Sequence, residues 1–185
     1  MPNAILDPTG RADVAKASSP GLMLAPRRPD LSGLRVGLMD NTKHNAALLL
    51  AEIGRLLAAE QGATVTVEAT KANFAAPAPA ELVERYREAC DVVITGVGDC
   101  GSCSASAVAD GIGFEQAGLP AAVICSDAFV VTADAMAELR GAPGYRYLRT
   151  AHPVAVLTTD QVRQRAKQLL PEVVATLTEP GRRDG

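Results

Sequence analysis

Two cysteines stand in C-x-x-C spacing in Asp99-Cys-Gly-Ser-Cys-Ser104, after the apolar run Asp91-Val-Val-Ile-Thr95 and the glycines Gly96 and Gly98. This reads as a strand, a tight turn and a helix start. Thiol chemistry runs through the thiolate, which a helix N-terminus favours because its unpaired N–H groups and positive dipole end lie there. Two uses of the pair stay open. In dithiol redox chemistry Cys100, nearer the turn, attacks, and Cys103 resolves the mixed disulfide. In covalent catalysis Cys100 alone bonds a carbon centre, with Cys103 in support. A structural zinc would need two further ligands from Cys90, Cys125, His44 and His152, none in a second paired motif, so no metal is assigned.

Gly96-Val-Gly-Asp-Cys-Gly101 also matches G-x-G-x-x-G. It follows the third expected strand instead of the first, and Asp99 is a poor lining for a pyrophosphate. Gly98 and Gly101 are better read as turn residues that let backbone approach a ligand. No cofactor is expected.

The residues that should meet the thiols come from other strand ends. Asp40, Asn41, Lys43 and His44 follow the first expected strand. Lys43 or a protonated His44 would stabilise a thiolate or bind a carboxylate, and Asn41 could orient a polar substrate. Asp127 follows the fourth strand. The candidate catalytic set is Cys100, Cys103, Asp99 and His44. The candidate substrate-binding set is Asp40, Asn41, Lys43, Gly98, Gly101, Ser102, Ser104, Asp127 and His152. His152 precedes Pro153, which opens an apolar run, so it should sit at the wrong end of a parallel strand unless the loop 144–151 carries it over.

The elements that must position these residues follow from apolar periodicity. Strands are expected at 34–39, 63–68, 91–95, 121–125 and 153–157, with 144–150 a loop or short edge piece. Between them, Leu49, Ile53, Leu56 and Leu57 mark a helix ended by Gly62, and Leu82, Val83, Tyr86 and Ala89 mark a second. Further helices are expected at 105–117 and 133–140. A final one opens with Thr158 and Gln161 in capping-box spacing, and Pro171 should kink or split it.

Alternating strands and helices imply an α/β fold: a flavodoxin-like three-layer sandwich with a parallel five-stranded sheet in the order 2-1-3-4-5. Ligands of such sheets bind outside the carboxyl ends of the strands, near the point where strand order reverses. Residues 1–32, with five prolines, read as an extended N-terminal arm before a single domain of 33–185. Ile5, Leu6, Leu22, Met23 and Leu24 are apolar enough to dock on the domain or on a second subunit.

Composition excludes several functions. A net charge of −3, no Trp and few aromatics leave no footprint for nucleic acid. No segment approaches the roughly 20 apolar residues of a membrane helix, and no signal peptide is evident. The cysteine spacing is not that of a disulfide framework, so a cytoplasmic location is expected.

Asp99-Cys-Gly-Ser-Cys-Ser104 after Gly96-Val-Gly98 resembles the UGSC-motif proteins, whose first motif position holds selenocysteine or cysteine. The resemblance extends to Ile5-Leu-Asp-Pro8, to the stretch from Leu31 through Asp40 to Lys43, and to His152-Pro153. It implies that Cys100 is a reacting nucleophile or redox centre. A looser likeness to selenoprotein components of glycine-reductase-like systems implies a paired subunit. Gly-Ser between the cysteines and the lack of a preceding aromatic depart from thioredoxins. The expectation is a cysteine-dependent enzyme, a thiol oxidoreductase acting on a small anionic metabolite, with a cysteine-nucleophile lyase or transferase as the alternative. A homodimer or heterodimer through the arm is expected; a non-catalytic subunit is the reading from another class.

Overall fold

The computed structural model describes residues 22–178. Five strands, β1 (Arg35–Asp40), β2 (Thr64–Thr70), β3 (Val92–Gly98), β4 (Ala121–Ser126) and β5 (Leu148–Thr150), form one sheet in the order β2-β1-β3-β4-β5. All neighbours are parallel. This is the flavodoxin-like order expected from the alternation of elements. β3 and β4 are buried along their whole length, as strands covered on both faces must be, which is why they read as unbroken apolar runs.

Helices α1 (Ala46–Gln61) and α5 (Thr159–Thr178) cover one face. Leu49, Ile53, Leu57, Val162, Ala166 and Val173 pack there against Val36, Ile94 and Ile124. Helices α2 (Ala80–Ala89), α3 (Gly101–Gln116) and α4 (Val130–Leu139) cover the other, with Tyr86, Val108, Phe114, Ala133 and Ala137 on Val93 and Val123. α3 spans Gly111 because it presses on the sheet there: a Cβ at Gly111 would lie 2.2 Å from Val123 Cγ2. The helix's lower intrinsic stability is offset by that close approach.

Three local expectations change. β5 is Leu148–Thr150, not 153–157, and the apolar run after Pro153 is a loop. α3 begins at Gly101, directly on the first cysteine, instead of at residue 105. α5 runs through Pro171 as a single helix. Pro171 and Lys167, the residue one turn before it, are both exposed, so the carbonyl that loses its amide can reach water. The capping box is formed: Thr158 N–H donates to Gln161 Oε1 at 2.8 Å, and Gln161 N–H to Thr158 Oγ1 at 3.4 Å.

Of the arm, Ile5 and Leu6 lie outside the described residues. Residues 22–32 form no helix or strand and lie on the chain's own domain. Leu31 and Ala25 are buried, Leu22 and Leu24 pack against the α3–α4 layer, and Met23 is exposed. Glu115, in the last turn of α3, is the anchor. Its carboxylate accepts from Ala25 N–H at 2.7 Å, from both terminal nitrogens of Arg27 at 2.6 and 2.7 Å, and from Ala121 N–H at 2.8 Å.

Candidate functional site

Register sets the rim of the sheet. Asp40 pairs with Gly96, Gly98 with Cys125, and Ser126 with Thr150, so β1, β3, β4 and β5 end side by side. Chain leaving β3 must turn sharply into α3 against β4. Gly98 permits this: a Cβ there would sit 2.7 Å from both Cys125 Sγ and Ser104 Oγ. The next two residues, Asp99 and Cys100, are therefore delivered to the rim with little freedom.

Cys100 is the N-cap residue of α3, and its sulfur accepts the Cys103 N–H at 3.3 Å. Sulfur here occupies the place an Asp or Ser oxygen takes in most caps, so negative charge on it is stabilised by the orphan amides of the first turn. Ser102 Oγ lies 3.6 Å from the same sulfur. Cys103, one turn on, is buried, and the two cysteines are joined as a disulfide with Cα atoms 5.2 Å apart. The half-exposed sulfur is thus Cys100 and the protected one Cys103, the order that attack and resolution require.

Asp99 is the hub of the site. Its buried carboxylate accepts from Ser126 Oγ at 2.8 Å and from His152 Nδ1 at 2.9 Å. It also accepts from Val154 N–H, 3.1 Å from both oxygens, and from Ala155 N–H at 2.9 Å. Burial works to raise its pKa, but the two backbone N–H groups, Ser126 and His152 outweigh it and hold the carboxyl below its ordinary value. Asp99 pins the loop after β5 and orients an imidazole.

His152 is brought to the thiol end of the sheet. The expectation that it lies at the wrong end of a strand fails with the misplaced β5: the strand ends at Thr150, so His152 follows it at the carboxyl rim. Its backbone N–H donates to Asp127 Oδ1 at 3.1 Å, and Phe129 packs edge-on to its ring at 5.2 Å between centroids. Asp127 therefore fixes the His152 backbone.

The loop after β1 closes on the same segment. His44 Nδ1 donates to the Ala155 carbonyl at 2.5 Å, and Asn45 Nδ2 donates to the carbonyls of Val154 at 3.0 Å and Leu157 at 2.9 Å. His44 is exposed, and Lys43 beside it is half-buried. Asn41, expected at the substrate, is fully buried: its amide donates to Val97 O at 3.0 Å, and its carbonyl accepts Val97 N–H at 2.9 Å. It braces β3 one turn beneath the thiols. Asp40 accepts from Thr42 N–H and Thr70 Oγ1 and lines a depression with Glu68 and Ala47, on the β2 side of the sheet. Ser104 is buried in the first turn of α3, its N–H on the Cys100 carbonyl at 2.9 Å and its Oγ without a partner among the described residues.

Sequence reasoning missed Ser126, Asn45, Phe129 and the amides of Val154 and Ala155. Ser126 follows Cys125 at a strand end, which was signal enough for the rim; Asp127 beside it drew the assignment instead. The remaining cysteines are core thiols. Burial pushes Cys125 up to about 12 and raises Cys90. Among the described residues no three His, Cys, Asp or Glu side chains group to hold a metal ion, and no helix there is long and apolar enough to cross a membrane.

Fold and site together define a flavodoxin-like α/β protein whose third strand delivers a thiol pair to a helix N-terminus. The chain belongs to the UGSC family, whose model matches residues 4–179. Among solved structures it is similar to the flavodoxin-like domain of a Synechococcus sp. protein at 19% identity, covering 75% of this chain and 89% of that one, with a TM-score of 0.40. No curated protein matches it.

Proposed function

We propose that the protein is a thiol-dependent oxidoreductase acting on a small anionic molecule in the reducing cytosol, with Cys100 attacking and Cys103 resolving. The observation that carries this reading is the Cys100 sulfur at the N-cap of α3, within bonding reach of the buried Cys103 sulfur. Lys43 and His44 on the neighbouring loop support an anionic substrate. In a reducing compartment the disulfide is a turnover state and not a staple. Assembly through the arm, with a second copy or another chain, belongs to the same proposal.

A small aromatic disulfide serves as test oxidant. The reduced protein should release two thiols per chain as its own dithiol becomes the Cys100–Cys103 disulfide, with a two-hydrogen loss by intact mass. Cys103→Ser should stop at the mixed disulfide after one thiol, because no resolving sulfur remains. Cys100→Ser should react at least about tenfold slower, since Cys103 is buried. If Cys100→Ser reacts as fast as the parent, the reading fails. On an identified substrate, turnover retained by Cys103→Ser would move the assignment to covalent transfer or lysis at carbon.

A further inference from the structure

We propose that His152, and not His44, is the acid–base partner of the Cys100 thiol, with Asp99 and Ser126 as its positioning residues. The inference rests on Cys100 being the attacking thiol and names the group that manages its proton.

Asp99 adjoins Cys100 in the chain, and its carboxylate holds His152 Nδ1 at 2.9 Å. A carboxylate can only accept, so Nδ1 carries the hydrogen, and Nε2 is the nitrogen left for proton exchange. Ser126 Oγ, 2.8 Å from Asp99 Oδ1, 3.0 Å from the Gly98 carbonyl and 3.3 Å from His152 Nδ1, closes the triangle beneath the ring. Phe129 holds the ring edge-on from above β4. The His152 side chain is 36% exposed while the Asp99 side chain is 1% exposed, the arrangement of a reactive imidazole on a buried orienting acid.

Among the described residues, Asp99 from the end of β3 bonds the ring and Asp127 from the end of β4 bonds the His152 backbone. On the β5 side is Arg165, which donates to Thr150 Oγ1 at 2.6 Å and to the Ala151 carbonyl at 2.7 Å. His44 differs: its Nδ1 is tied to a neutral carbonyl, and among the described residues no carboxylate bonds its ring.

The step is a proton transfer. The Cys100 S–H gives its proton to His152 Nε2, leaving thiolate and imidazolium. When the thiolate attacks a sulfur and a second thiolate departs, that departing sulfur takes the proton from Nε2, and the imidazole is neutral again.

The test is the pH dependence of Cys100 alkylation by iodoacetamide in the reduced full-length protein, with the adduct located by peptide mass spectrometry. The parent should show a rate plateau below the ordinary thiol range. His152→Gln should lose the plateau and alkylate about tenfold more slowly at pH 7, as the thiolate fraction falls about tenfold when the thiol titrates one pH unit higher. Glu60→Gln, exposed in the last turn of α1, should keep it.

In the parent itself, the proton NMR signals of the chain's two histidines give a readout that does not depend on a variant folding. The His152 ring should hold its proton to higher pH before alkylation of Cys100 than after. A plateau unchanged by His152→Gln, or a ring signal that ignores alkylation, overturns the inference and leaves Cys100 as the nucleophile. A parent in which Cys100 is no more reactive than Cys90 or Cys125 overturns the oxidoreductase reading itself.

Discussion

At Asp99 a single atom change tests both stability and chemistry. Asn in its place keeps the shape but offers one acceptor oxygen where the carboxylate now accepts from Ser126, His152, Val154 and Ala155. Its amide nitrogen would face donors. Asp99→Asn should cost about 2–4 kcal/mol in urea unfolding at pH 7, the range for leaving buried donors unpaired near a lost charge. The folded carboxyl titrates below its ordinary value. Its contribution is therefore fully present above the unfolded value of about 4 and is lost as pH falls through the lower folded value. Between pH 6 and 3 the parent should lose more stability than the variant; equal losses would mean that Asp99 is not the group responsible. Asp99 itself stood out beside the thiol in the sequence. Of its partners only His152 did; the others lie 27 to 56 positions away and are backbone amides or a serine among small residues.

The elements were legible where burial imposed a period. β1, β3, β4 and α1 were all predicted within a few residues of their bounds. The edge strand falls within 144–150, where the sequence allows a loop or short edge piece, but three residues are too short to show a period, while Pro153-Val-Ala-Val-Leu157 imitates the fifth strand. That segment is held instead by side chains from two other loops, Asp99 and Asn45. Asn45→Ala should leave the carbonyls of Val154 and Leu157 without their amide donor. The expected result is faster hydrogen exchange across 152–157 with little change in α1.

A second element-scale clamp lies across α3, where buried Lys71 donates to Asp110, to Ser106 Oγ at 2.6 Å and to the Ala76 carbonyl at 2.8 Å. Lys71→Met strands the Asp110 carboxylate and should cost about 3–5 kcal/mol. The double variant Lys71→Met, Asp110→Leu should recover most of it, because breaking a buried pair costs more than replacing it. Failure to recover in the urea midpoint would assign the loss to packing instead.

For the whole molecule, α3 ties the cysteine pair at the rim to the arm. Cys100 caps its first turn, and Glu115 in its last turn holds Ala25 and Arg27. Arg27→Ala removes the partner of a fully buried carboxylate, and limited proteolysis should then cut within 22–32 faster than in the parent. Light scattering of a protein lacking residues 1–21 tests assembly: a mass halved relative to the full chain supports the arm as the joint, and an unchanged mass removes it from that role. This docking on the chain's own domain was not legible from sequence, since a proline-punctuated arm with scattered leucines is equally suited to its own domain or a neighbour's. The cap on α3 has a practical use as well. The Cys100 sulfur is the acceptor for the Cys103 amide at 3.3 Å, so any adduct on Cys100 must alter that amide's surroundings. Its nitrogen-15 resonance is a native gauge of site occupancy, able to report a bound or attached molecule whose identity is unknown and which carries no label.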